Sequence, residues 1–109
     1  MTQLKEYKHT VPMTSNTSWT GCIPPGWMLE SIVFVESAGA VPTLDLGLTS
    51  NAHDVFEQQA MVASDITIVV INKVYSMLSR QTLYLSDAGV GTWNGASLTA
   101  LLNLRRVML

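Results

Sequence analysis

From Leu98 to Arg105 the chain alternates: Leu98, Ala100, Leu102 and Leu104 fall in one phase, Thr99, Leu101, Asn103 and Arg105 in the other. A period of two marks a strand, whose successive side chains point to opposite faces. Asn94-Gly95 just before it is the strongest short-range turn signal, because both residues accept positive φ cheaply. Thr43-Leu44-Asp45-Leu46-Gly47-Leu48-Thr49 repeats the pattern, with the leucines inward and Asp45 and Gly47 outward. So does Thr82-Leu83-Tyr84-Leu85-Ser86.

Other stretches are apolar in both phases. Trp27 to Glu36 is dense in β-branched and aromatic residues and suits a central strand. Ile66-Thr67-Ile68-Val69-Val70-Ile71 is a further strand, and Asn72-Lys73 is read as a turn into Val74–Leu78. Trp19 to Ile23 is a short strand closed by Pro24-Pro25-Gly26. Residues 1–13 form an N-terminal arm or edge strand, with Tyr7, His9 and Val11 alternating and Pro12 as the stop. Asp54 and Glu57 are spaced like a capping box, so residues 51–63 hold at most a short helical turn, or a strand at Val55-Phe56. Turn signals thus recur about every 8–12 residues, the rhythm of a sandwich or jelly roll. The fold class expected is all-β: an antiparallel, jelly-roll-like β-sandwich of seven or eight strands, one domain over residues 14–109 behind the arm. Its expected core is Leu29, Ile32, Phe34, Leu44, Leu46, Ile66, Ile68, Val70, Leu83, Leu85, Leu98, Leu102 and Leu104.

Composition narrows the function. In 109 residues, 48% are hydrophobic and only 13% charged, against about a quarter charged in ordinary soluble domains. So little charge suggests that other subunits cover part of the surface, and six methionines fit the same reading. Lys5, Lys8, Lys73, Arg80, Arg105 and Arg106 are scattered, the net charge is −2, and no basic stripe offers itself to a phosphate backbone. Nucleic acid is therefore not an expected partner. The longest apolar run, Ile66 to Ile71, is too short to span a bilayer as a helix, and Met1 to Glu6 has no apolar core of signal-peptide length. Synthesis in the cytoplasm without a secretion signal, and no membrane partner, are expected. Asn16-Thr17-Ser18 matches a glycosylation acceptor but lacks a secretory context.

Candidate chemistry is thin. The lone Cys22 excludes an internal disulfide and a cysteine metal cluster, and reads as a small, partly buried apolar residue. His9 and His53 lie in different segments, neither at ligand spacing from another, and no Gly-x-Ser-x-Gly elbow presents a serine to His53-Asp54. Gly89-Val90-Gly91-Thr92 lacks the lysine and the following helix of a phosphate loop. Glu30, Glu36 and Asp45 could in principle form a glycosidase-type carboxylate pair, but outward acids on a sheet are usually solvated. No catalytic residue, cofactor or metal is assigned, and the protein is read as a non-enzyme. Trp19, Trp27 and Trp93 are either core or interface anchors or, with Asn94 and Asp87, a sugar-stacking platform.

Four segments resemble a group of small virion proteins from the structural-gene regions of tailed bacteriophages: Trp27 to Val33, Asp45 to Thr49, Thr82 to Ser86, and Trp93 to Leu98. The pattern runs in order over residues 27–109. After Thr49 this chain has Ser50-Asn51-Ala52-His53 where relatives are glycine-rich. The resemblance implies a β-sandwich virion component, in capsid decoration, a head fibre or the tail, and supplies no catalytic residues. The function expected is a virion structural protein that self-associates, as a trimer by resemblance, and docks on other virion proteins such as the major capsid protein. The alternatives are a carbohydrate-binding module and a tail-associated receptor-binding component. The expected interface comprises Tyr7, His9, Val11, Trp93, Leu101, Arg105, Val107, Met108 and Leu109, since an apolar chain end and apolar residues on an outward face imply a covering partner. Arg105 and Arg106 would sit at its rim, able to pair with Glu30 or Glu36.

Overall fold

The computed structural model describes residues 4–13, 17–38, 43–60, 65–87 and 96–107, with side chains in 17–35, 43–60, 65–86 and 99–107. Eight strands follow one another: β1 (Leu4–Met13), β2 (Thr17–Ile23), β3 (Trp27–Ala38), β4 (Thr43–Gly47), β5 (Phe56–Ala60), β6 (Ile66–Val74), β7 (Gln81–Asp87) and β8 (Ala96–Arg106). Among the described residues there is no helix. The helical turn allowed for in 51–63 resolves as a tight turn at 49–52 followed by β5, the alternative the sequence also permitted.

The strands form two four-stranded sheets, ordered β1-β8-β3-β6 and β2-β7-β4-β5, with every described pairing antiparallel. First pairs with last, second with seventh, third with sixth and fourth with fifth, as if one long hairpin had been rolled over on itself. This is the order of a jelly roll, and it joins the two sheets face to face as a sandwich.

Between the sheets lie Leu29, Ile32 and Phe34 of β3 and Ala100, Leu102 and Leu104 of β8, against Trp19, Cys22 and Ile23 of β2, Leu44 and Leu46 of β4, and Leu83 and Leu85 of β7. Phe34 bridges the layers. Its ring meets Trp19 with centroids 6.5 Å apart and Phe56 edge-on at 5.9 Å, the offset geometry that aromatic quadrupoles favour.

Three sequence expectations need correction. Ile66, Ile68 and Val70 are not core: they are 55%, 63% and 68% exposed, and Thr67, Val69 and Ile71 take the inward phase instead. Asn72-Lys73 is not a turn, because β6 continues to Val74, with Asn72 absorbing the irregularity at φ 54°. Pro12 does not stop the first strand; β1 runs on to Met13, since an edge strand tolerates a residue without an N–H. Trp19, Cys22 and Ile23 are core although their spacing breaks the period of two. A bulge around Gly21, at φ 58°, inserts extra residues and turns Cys22 back inward. Thr82 Oγ1 accepts the Gly21 N–H at 2.9 Å, and Arg80 donates to the Gly21 carbonyl at 2.9 Å. Leu98 lies outside the described side chains.

Candidate interaction surface

Among the described residues, the outer face of the β1-β8-β3-β6 sheet carries a feature that a solvated sandwich does not need. Across the β3–β6 ladder Val35 stands opposite Ile66, Val33 opposite Ile68, and Ser31 opposite Val70. On the other side of β3, Val35 faces Thr99, Val33 faces Leu101, and Ser31 faces Asn103. Directly opposed residues share a face, so Ile66, Ile68, Val70, Val33, Val35 and Leu101 form one apolar field pointing away from the core. Such a field is on the order of a few hundred Å², the size at which an exposed patch marks an interaction surface.

Its lower end is polar. Asn103 donates from Nδ2 to Ser31 Oγ at 3.1 Å. One row further on, the Arg105 Nε–H donates to Glu30 Oε2 at 2.6 Å, across the bulge between Leu29 and Ser31. It is one of the pairs expected between the C-terminal arginines and Glu30 or Glu36. Its two side chains are partly exposed, so it orients the rim more than it stabilises the fold.

The expected interface residues fall into four groups. Leu101 is half-buried within the apolar field, while Arg105 is at its rim. Val107 is 46% exposed, and its N–H donates to the Gly26 carbonyl, tying the end of β8 to the Pro24-Pro25-Gly26 turn. Tyr7, His9 and Val11 pair in register with Leu102, Ala100 and Leu98, so one edge of β1 is taken up by the chain's own β8. Trp93, Met108 and Leu109 lie outside the described residues. The residues that sequence reasoning missed are Ile66, Ile68, Val70, Val33 and Val35. The signal available was a run apolar in both phases, only one of which can enter the core.

The other candidate centres are bland. Cys22 is 4% exposed and its thiol is pushed up to about 11 by burial, so it is held as a neutral thiol. His53 is exposed and 3.7 Å from the Glu57 carboxylate. The Asp45 carboxylate accepts the Gln58 N–H at 2.8 Å, and that of Asp54 accepts the Leu48 N–H at 2.8 Å, so both serve the β4–β5 connection. Glu36 lies outside the described side chains. Burial, then the charge of Asp54, pushes the Tyr75 hydroxyl up to about 12. Among the described residues no three His, Cys, Asp or Glu side chains gather at metal-binding distance.

Trp19 is buried, and Trp27 packs against the core, so neither offers a sugar-stacking platform. On the second sheet an open cleft of about 230 Å³ is lined by Ser18, Ser50, Asn51, Tyr84 and Ser86 among others. It is smaller than the roughly 300–1,000 Å³ of ordinary ligand pockets.

A chain of the cyanophage Pam1 capsid asymmetric unit has the same fold, with a TM-score of 0.57 and 14% identity, over 96% of this chain and 84% of that one. At that identity the likeness shows the fold alone. No family model matches the chain, and no curated protein matches it.

Proposed function

We propose that this chain is a non-enzymatic structural component of a bacteriophage virion that self-associates and docks on the capsid. The observation that carries this reading is the jelly-roll order, shared over nearly the whole chain with a capsid asymmetric-unit chain, combined with an apolar field on an outer face. Double-sheet jelly rolls build viral capsids and lectin domains, and fold by itself does not choose between them. The surface favours the first. Apolar, weakly charged faces suit permanent protein contacts, whereas sugar recognition calls for exposed aromatics beside convergent polar groups. The major capsid protein is the partner we assign for docking.

The test is to purify particles of the phage or prophage that encodes the chain through a density gradient and quantify the protein by mass spectrometry. Copies in fixed ratio to the major capsid protein are expected. Its absence from particles would refute the reading. Retention of the purified chain on an immobilised-glycan panel, lost on Tyr84→Ala, would instead favour carbohydrate binding at the cleft.

A further inference from the structure

Among the described residues, four strands of the sandwich have one unpaired edge each: β1, β6, β2 and β5. An open edge is a template for another chain, and proteins normally blunt it with charge, proline or a bulge. β1 carries Pro12 and three charged residues, Lys5, Glu6 and Lys8. β2 is bulged around Gly21, and β5 is five residues long, with a charge at Glu57 and a φ of 50° at Gln58. β6 alone has a six-residue stretch, Ile66 to Ile71, with no charge, proline, glycine or positive φ.

We infer that β6 is a pairing edge for β6 of a second copy of this chain, antiparallel about a two-fold axis through Val69. This narrows the self-association proposed above to one strand, one register and a two-fold dimer, in place of the trimer that the resemblance implies. For two copies of a strand to meet with their faces matched, the axis must pass through a residue. Placed at Val69, it sets Ile68 against the second copy's Val70 and Thr67 against its Ile71.

It also brings Asp65, at the start of β6, alongside the second copy's Lys73, and Lys73 alongside the second copy's Asp65. The only charges flanking the strand are thus matched, twice. Moving the axis to Ile68 puts Asp65 against Ile71, and moving it to Val70 puts Asp65 against Tyr75; both registers lose the complementarity.

Both charged side chains are exposed at present. One Asp65 oxygen accepts the Ile66 N–H at 2.7 Å, and the Lys73 ammonium lies 5.6 Å from the Tyr75 ring. Regular pleating ends at Asn72, and the long Lys73 side chain spans that offset. The pairing joins two four-stranded sheets into one of eight, with the backbone supplying affinity and the flanking charges setting register.

The experiment uses the full chain carrying Cys22→Ser. Light scattering at micromolar concentration is expected to give a dimer. Asp65→Lys should raise its dissociation constant about tenfold, and adding Lys73→Asp should restore it. A mixture of Ile68→Cys and Val70→Cys chains should form a mixed disulfide on mild oxidation, because directly opposed positions come within disulfide reach. Ile68→Cys alone should not cross-link, its own copies being offset along the strand. Both positions are exposed, and circular dichroism verifies that the variants fold. An oligomer indifferent to the charge swap and lacking the mixed disulfide would overturn β6 pairing while leaving self-association intact. A monomer at every concentration would overturn both.

Discussion

Ile68 of β6 lies directly opposite Val33 of β3, and both side chains point away from the core. Their neighbours in each strand, Val69 and Ile32, turn inward, where Ile32 is fully buried. The sandwich therefore has apolar residues on both sides of one sheet, and only the inner set serves folding. Ile68→Ala should leave stability within about 0.5 kcal/mol of wild type, as at other exposed sites. Leu102→Ala, which empties a fully buried site, should cost about 2–5 kcal/mol. Urea unfolding separates the two.

Gly47 is buried where β4 enters its turn, and a Cβ added there would stand 2.5 Å from the Ala52 carbonyl carbon and oxygen. Backbone cannot swing aside as a side-chain tip would. Gly47→Ala should lower stability by about 1–3 kcal/mol, read as a fall in melting temperature. An unchanged melting temperature would mean that the 49–52 turn is free to shift.

How far the sequence revealed the fold depended on whether a strand's second phase was polar. In β8 the phase opposite Leu102 and Leu104 holds Thr99, Asn103 and Arg105 with Leu101 as its one apolar member, and in β4 the phase opposite Leu44 and Leu46 holds Asp45. In both strands the alternation alone identifies the inward face, and Leu44, Leu46, Leu102 and Leu104 are fully buried. In β6 both phases, Ile66-Ile68-Val70 and Thr67-Val69-Ile71, are mostly apolar, so the alternation does not say which of them faces the core. The decisive fact was pairing instead: β6 follows the register of β3, whose inward residues are Ile32 and Phe34. Trp19 and Cys22 share a face only because Gly21 takes a left-handed φ, and residue spacing alone does not reveal a bulge. The charged rim is more accessible to sequence reasoning, since opposite charges at Arg105 and Glu30 on outward strand faces suffice to suggest the pair that meets at 2.6 Å. The strand order was not encoded in any local pattern, because it depends on which distant strands meet.

Cys22 and Tyr75 both hold their protons more tightly when folded, rising from 9.0 to about 11 and from 10.0 to about 12. A group whose folded value is raised contributes its full stability below the unfolded value and loses it as pH climbs to the folded one. Stability should hold steady to about pH 9 and then fall between pH 9 and 12. Cys22→Ser should flatten the part between 9 and 11, and Tyr75→Phe the part between 10 and 12. Denaturant midpoints measured across that range check both.

Arg105→Ala removes a partly exposed ion pair and should cost no more than about 1 kcal/mol. Stability measured in low and high salt should differ less in the variant than in wild type. A loss well above that would mean the pair holds β8 to β3 rather than trimming the rim.

The central claim, that the chain docks on a virion as a structural part, is tested most directly by reconstitution. Particles lacking the chain's gene are mixed with the purified protein and sedimented. We predict that wild-type protein travels with the particles and saturates at a fixed number of copies per particle. Protein that stays wholly in the supernatant at every concentration would contradict the claim.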